Sequence, residues 1–221
     1  MYLGAAEDRV ADRVGEITPA PQPSNRWQHF PISQLCHHGD SCCEVARQWI
    51  VAMDFAQLNG GERLSGPRWL RARYEWGPSP WPMHWCELVD RKVIDCGAHS
   101  ALAHAAFEAR GVTAFRAQFI QRYSADAQAQ WRSRWGADQV SDHWIGDDAV
   151  IYHEGNAVLV DEDEVKLWDS SAGCWLNPRH LRGYGSIAAV RLFADGNWGG
   201  GDGLRWGEHR IRPNAWHHFA A

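Results

Sequence analysis

The segment that most constrains the fold runs from residue 93 to residue 111. Two apolar residues lead into Asp95, and the alanine-rich stretch CGAHSALAHAAFEA follows as far as Arg110 and Gly111. Asp95 is a typical helix N-cap and Gly111 a typical helix stop, so the pattern predicts a helix over residues 96–110. Because this helix is apolar on nearly all sides, we expect it to be buried.

The first residue of this predicted helix is Cys96. A thiol in the first turn of a helix faces unpaired backbone N–H groups and the positive end of the helix dipole. Both interactions favour the thiolate and lower the thiol pKa. Cys96 is therefore the candidate nucleophile.

A candidate base and a candidate orienting carboxylate follow in chain order. Strands predicted near residues 153–160 and 165–170 carry His153 and Asp169. A cysteine nucleophile needs an imidazole to take its proton, and a carboxylate fixes the imidazole tautomer. A four-residue loop between the strands would put the two side chains on opposite faces. A three- or five-residue loop, or a bulge, would put them together, and we expect one of these.

The order and spacing of these residues resemble the transglutaminase-like superfamily of cysteine enzymes. In that family a Cys opens the central helix, a His begins the next strand, and an Asp lies one hairpin later. The matching segments are Asp95-Cys96-Gly97, Arg110-Gly111-Val112, residues 153–158 (HEGNAV) and residues 167–170 (LWDS). The resemblance covers residues 93–171, about a third of the chain.

The resemblance implies an α+β fold of papain-like architecture, with the Cys96 helix packed on an antiparallel sheet, as one catalytic domain over residues 26–221. It implies thiol-mediated acyl transfer in which His153 moves the proton and Asp169 orients the imidazole. The acyl group would pass to an amine or, alternatively, to water, and we favour the amine. The substrate would be a small-molecule, peptide or carrier-bound acyl compound, and no cofactor is expected.

The fourteen tryptophans suggest an aromatic-lined pocket. The candidates for substrate binding are Trp85, Trp131, Trp135, Trp144 and Trp168. Residues 131–148 look like an insertion before His153 that could form a lid. The candidate oxyanion donors are the backbone N–H of Cys96 and the side chain of His84.

Other segments have simpler interpretations. The proline-containing stretch that ends residues 1–25 predicts a partly ordered N-terminal arm. Ser41 and Glu44 fit a capping box, and an amphipathic helix over residues 42–58 follows. Its expected apolar positions are Val45, Ala46, Trp49, Ile50, Met53 and Ala56. Further strands are expected at 113–123 and 186–193.

Two alternatives to an enzyme stay open. His84, Cys86, Cys96 and His99 offer two imidazoles and two thiols for tetrahedral zinc. The Cys- and His-rich residues 36–43 are a second candidate, although the capping box accounts for half of that segment as a helix entrance. The other alternative is a non-enzymatic module whose Trp-rich cleft binds a peptide or ligand.

The composition excludes several classes of function. The formal net charge is −5, which argues against nucleic-acid or anionic-membrane binding. Neither a signal-peptide core in the first twenty residues nor an apolar run of membrane-spanning length is present. We therefore expect a cytoplasmic protein. The six cysteines are irregularly spaced and are expected to be reduced thiols.

Overall fold

The computed structural model describes residues 30–37, 41–58, 61–136, 150–183, 185–194 and 203–219. The N-terminal arm predicted for residues 1–25 and the candidate Trp144 lie outside the described residues. Over the described part of the chain, helices and strands form a mixed α/β arrangement with an antiparallel sheet at its centre.

Four α-helices and one short 3₁₀ helix are described. The α-helices are α1 (Ser41–Leu58), α2 (Trp69–Arg73), α3 (Cys96–Ala109) and α4 (Ala125–Trp135), and the 3₁₀ helix is Trp85–Val89. The strands are β1 (Glu75–Trp76), β2 (Val93–Ile94), β3 (Ala114–Arg122), β4 (Val150–Leu159), β5 (Val165–Asp169), β6 (Cys174–Trp175), β7 (Ile187–Phe193), β8 (Leu204–Trp206), β9 (His209–Ile211) and β10 (Trp216–His218). No described helix is both long and apolar enough to cross a membrane.

Six of these strands form the main sheet in the order β10-β7-β3-β4-β5-β6, and every neighbouring pair is antiparallel. The two central strands, β3 and β4, pair along nine positions. Strand β4 is buried along almost its whole length. Side chains on β4 and β5 are therefore held by neighbours on all sides, which makes this part of the sheet a rigid support for a site.

Helix α3 is buried as its composition predicts. The Asp95 carboxylate caps it by accepting a hydrogen bond from the Ala98 N–H (2.9 Å), and Gly111 ends it with φ of 66°. Ser100 ties the helix to β4, because its hydroxyl donates to the Gly155 carbonyl (2.6 Å) and its own carbonyl accepts from Asn156 (3.1 Å). These bonds fix the height of α3, and hence of Cys96, above the sheet.

Helix α1 forms where it was expected, but part of its predicted buried face is wrong. Its buried residues include Ala46, Ile50 and Asp54, whereas Val45 is 61% exposed. The reason is an ion pair: Arg110 donates to both carboxylate oxygens of Asp54. Turning Asp54 inward rotates the helix and leaves Val45 in solvent.

Candidate active site

The β4–β5 hairpin brings His153 and Asp169 together. The last paired residues are Leu159 and Val165, so the connecting loop has five residues, one of the lengths that puts both side chains on one face. His153 Nε2 lies 2.9 Å from Asp169 Oδ1, and both residues are buried. The loop length expected from the sequence is confirmed.

Cys96 completes the group from the start of α3. Cys96 is the other partner of His153: charge and hydrogen bonding between the two side chains raise the pKa of His153 and oppose the rise in the pKa of Cys96. Because Nε2 faces Asp169, Nδ1 is the ring nitrogen left for the thiol. One helix start and two neighbouring strands therefore assemble the three residues in the order thiol, imidazole, carboxylate.

The electrostatics make His153 an unusually basic imidazole. Burial disfavours its charged form, but Asp169 and Cys96 together hold the pKa of His153 well above its ordinary value. Burial raises the pKa of the Cys96 thiol, and His153 opposes that rise. From the helix start alone, we expected the pKa of the Cys96 thiol to be lowered. That expectation did not include the burial of Cys96, which is only 2% exposed. Activation of this thiol therefore depends on His153.

The Asp169 carboxylate is held in its charged form. Burial disfavours that form, but the charge and hydrogen bond of His153 and the N–H of Ala172 lower the pKa of Asp169 below its usual value. Oδ1 accepts from the backbone N–H groups of Ser171 (3.1 Å) and Ala172 (2.9 Å), and Oδ2 from Gln121 (3.5 Å). A carboxylate fixed in this way can orient the imidazole and stabilise an imidazolium.

A second buried carboxylate, Glu154, organises the surroundings of Cys96. It accepts from the N–H (3.1 Å) and hydroxyl (2.8 Å) of Ser33, from Arg116 (2.8 Å) and from Tyr152 (2.7 Å). Arg116 also donates to the Gly97 carbonyl (3.1 Å). Glu154 therefore connects the chain around Ser33 with the first turn of α3, a role that sequence reasoning missed because Ser33 lies 121 residues earlier.

The first turn of α3 is covered where this segment passes. A Cβ at Gly97 would lie 2.4 Å from Ser33 Oγ and 3.2 Å from the Trp81 ring. Trp81 also donates through its indole N–H to Asp95, the cap residue. Ser33 and Trp81 thus close over the helix start, and burial raises the pKa of Asp95 to about 6.

A cavity lies beside the His153–Asp169 pair, and Cys96 is not among the described residues that line it. Its volume is about 690 Å³ and both His153 and Asp169 line it, which is within the range of small-molecule sites. Its aromatic lining residues are Tyr74, Trp76, Tyr123, Trp131 and Trp135. The rings of Trp76 and Trp131 are 4.9 Å apart, as are those of Tyr123 and Trp131. Arg71, Arg73, Lys92 and Arg134 add positive charge.

The predicted substrate-binding tryptophans that the structure describes divide into two groups. Trp131 and Trp135, both on α4, line the cavity. Trp85 and Trp168 instead lie in the core that packs around α3, and Trp168 is fully buried, so these two candidates are corrected to core residues. Trp76 was not singled out, since nothing in its local sequence distinguishes it.

The remaining candidates take other positions. His84 precedes the 3₁₀ helix and pairs with Cys36 in an isolated bridge, and it is not among the described residues that line the cavity. The zinc set of His84, Cys86, Cys96 and His99 is not assembled among the described residues, because Cys96 pairs with His153 and Cys86 lies with other cysteines. The oxyanion role of the Cys96 N–H stays a prediction.

No family model, curated protein or solved structure matches this chain.

Proposed function

We propose that this chain is a cysteine-dependent acyl-transfer enzyme of transglutaminase-like, papain-like type. The observation that supports the proposal most strongly is the buried His153–Asp169 pair at 2.9 Å, with the same imidazole hydrogen-bonded to Cys96 at a helix start. A buried neutral imidazole has one donor and one acceptor nitrogen, and here their neighbours are a carboxylate and a thiol, the pairing that Cys–His nucleophilic catalysis uses.

In the proposed reaction, Cys96 Sγ attacks an ester, thioester or amide carbonyl while its proton passes to His153 Nδ1. The tetrahedral intermediate collapses to a thioester on Cys96, and the leaving group takes the proton from His153. Asp169 keeps the imidazole oriented and stabilises its cationic form throughout. The backbone N–H of Cys96, at the start of α3, is the proposed oxyanion donor.

The cavity supports a small acyl substrate with a flat apolar part and an anionic group. Its aromatic side chains offer stacking faces, and its cationic side chains outnumber the acidic ones, Glu75 and Asp169. Arg134 is paired with Glu75 and lies 5.0 Å from the Trp135 ring centroid. A carboxylate or phosphate group of the substrate would pair with Arg71, Arg73 or Lys92, which line the cavity.

Transfer to an amine rather than to water is favoured by exclusion of solvent. Helix α4 lines the cavity with Trp131 and Trp135, and an aromatic lining limits the access of water to a thioester. The lid predicted for residues 131–148 lies partly outside the described residues, so this argument rests on α4 alone. Transfer to water remains the alternative outcome.

The proposal is tested by trapping the acyl-enzyme. The purified chain is incubated with a panel of aryl esters and thioesters, with and without anionic groups, and its intact mass is followed before and after an amine is added. We expect one acyl adduct on Cys96 that the amine discharges faster than water does. Cys96→Ala should give no adduct, and Cys174→Ala, which removes an exposed thiol, should behave as the wild type. An adduct that persists in Cys96→Ala would refute the proposal.

A further inference from the structure

Three cysteines outside the candidate active site lie together. The sulfur atoms of Cys42, Cys43 and Cys86 are all within 4.8 Å of one another. Three thiolates on one tetrahedral zinc ion, with bonds of about 2.3 Å, stand about 3.8 Å apart. The sulfurs therefore need to approach by about 1 Å at most, a shift that side-chain rotation supplies.

The helix that carries Cys42 and Cys43 favours their charged form. Cys42 and Cys43 occupy the first turn of α1, a helix of eighteen residues, and Cys86 is the second residue of the 3₁₀ helix. The N–H groups and positive dipole end of a long helix stabilise thiolates, which are the form that binds metal. The cluster thus combines one residue of the first zinc set considered from the sequence with two of the second segment.

The surrounding backbone holds the cluster in place. The Cys43 thiol lies 3.9 Å from the Cys36 carbonyl, which also accepts from the Trp85 N–H (3.3 Å), and the Cys36 N–H donates to the Met83 carbonyl (2.8 Å). Cys43 is buried, Cys86 is half-buried and Cys42 is exposed. Cys43 therefore lies against the backbone of Cys36, and Cys42 is the thiol of the cluster most accessible to solvent.

We propose that Cys42, Cys43 and Cys86 bind a soft divalent cation, Zn²⁺ being the expected one. Thiolates select zinc over Mg²⁺ or Ca²⁺, which prefer oxygen ligands. The three sulfurs leave one tetrahedral position for water or a further ligand, and each thiol that binds releases its proton. The bound ion would join α1 to the 3₁₀ helix. This proposal does not depend on the acyl-transfer function, since Cys96 takes no part in it.

Cobalt is the probe, because Co²⁺ replaces Zn²⁺ in thiolate sites and gives a sulfur-to-cobalt charge-transfer band. The reduced full-length chain is titrated with Co²⁺, and Zn²⁺ is then added. We expect one equivalent of Co²⁺ to produce the band and Zn²⁺ to abolish it. Cys42→Ser and Cys86→Ser should each weaken binding by at least about tenfold.

Two control variants locate the site. Cys174→Ser and Cys96→Ala should both bind Co²⁺ as the wild type does, because neither residue belongs to the cluster. Cys42 is exposed, so Cys42→Ser should keep the fold, and circular dichroism checks this. The proposal is overturned if the wild type gives no thiolate band, if Cys42→Ser and Cys86→Ser bind as tightly as the wild type, or if Cys96→Ala alone abolishes the band.

Discussion

His99 should make the stability of this protein sensitive to mild acid. The residue is fully buried in α3, and neither ring nitrogen has a hydrogen-bond partner among the described residues. Burial is the main cause that lowers the pKa of His99 to about 3. Asp169 has a smaller effect that raises this pKa, and His153 has a smaller effect that lowers it. Its principal neighbour is the Tyr74 ring, whose centroid is 6.1 Å away.

The size of the effect follows from this pKa. In the unfolded chain His99 binds a proton near its ordinary pKa of 6.5, whereas in the folded protein it stays neutral until about pH 3. The free energy of unfolding therefore falls as the pH drops below 6.5. Linkage gives a loss of about 2 kcal/mol between pH 7 and pH 5 from this residue. The raised pKa of His153 contributes with the opposite sign, since its stabilisation is fully present below pH 6.5.

His99→Leu isolates the contribution, because His153 is present in both proteins and cancels in the difference. Urea unfolding of the wild type and of His99→Leu is compared at pH 5, 6 and 7. We expect the variant to gain about 2 kcal/mol relative to the wild type as the pH falls from 7 to 5. The exposed His180 serves as a control, and His180→Gln should leave the pH dependence unchanged. Equal pH dependence in the wild type and His99→Leu would refute the reasoning.

Three further predictions concern the core and the site. Asp54→Ala leaves the Arg110 guanidinium buried without its partner and should cost about 3–5 kcal/mol of unfolding free energy in urea, whereas the double variant with Arg110→Met should recover much of that loss. A smaller cost for Asp54→Ala than for the double variant would contradict this. Gly155→Ala should cost at least about 1–3 kcal/mol of unfolding free energy in the same urea assay, because its Cβ would lie 2.4 Å from a backbone oxygen. A urea unfolding curve identical to that of the wild type would contradict the close packing at Gly155. Asp169→Asn should lower kcat/KM for the acyl donor by about 10²–10⁴-fold, because His153 loses the carboxylate that orients it. An unchanged rate would remove Asp169 from the mechanism.

The parts of the fold that the sequence predicts are those encoded by neighbouring residues. The start of α3 follows from Asp95 as a cap and its end from Gly111, and the structure confirms both. The strands that carry His153 and Asp169 form close to the residues expected from the sequence, and the five-residue loop between them is one of the expected lengths. The local sequence is enough to predict these elements, because their hydrogen bonds join residues that are a few positions apart or that face each other across one hairpin.

The parts that the sequence does not predict depend on distant partners. Any analysis of hydrophobic periodicity assigns Asp54 to the exposed face of its helix. Its inward position is explained only by its ion pair with Arg110, which lies 56 residues later. A tryptophan is large and amphipathic, so its identity does not distinguish a core position, such as that of Trp168, from a cavity wall, such as that of Trp131. The packing of Ser33 against Gly97, next to Cys96, likewise joins distant segments that no local pattern connects.

The cysteine cluster shows the same limit. Cys42 and Cys43 stand in a segment whose spacing fits no standard zinc motif, and the nearby capping residues account for it as a helix entrance. Cys86 becomes their neighbour only because the 3₁₀ helix packs against the first turn of α1. The spacing of cysteines along the sequence does not identify a ligand set that two distant segments contribute, whereas the folded structure does.

The most direct test of the account is whether His153 controls the reactivity of Cys96. Alkylation by iodoacetamide is followed at each cysteine by mass spectrometry from about pH 5 to pH 9, in the wild type and in His153→Ala. Because His153 opposes the rise that burial gives the pKa of the Cys96 thiol, the account predicts that alkylation of Cys96 moves to higher pH in His153→Ala, and by more than that of the exposed Cys174, on which His153 has only a minor effect through its charge. An identical pH profile for Cys96 in both proteins would contradict the thiol–imidazole pair and, with it, the proposed function.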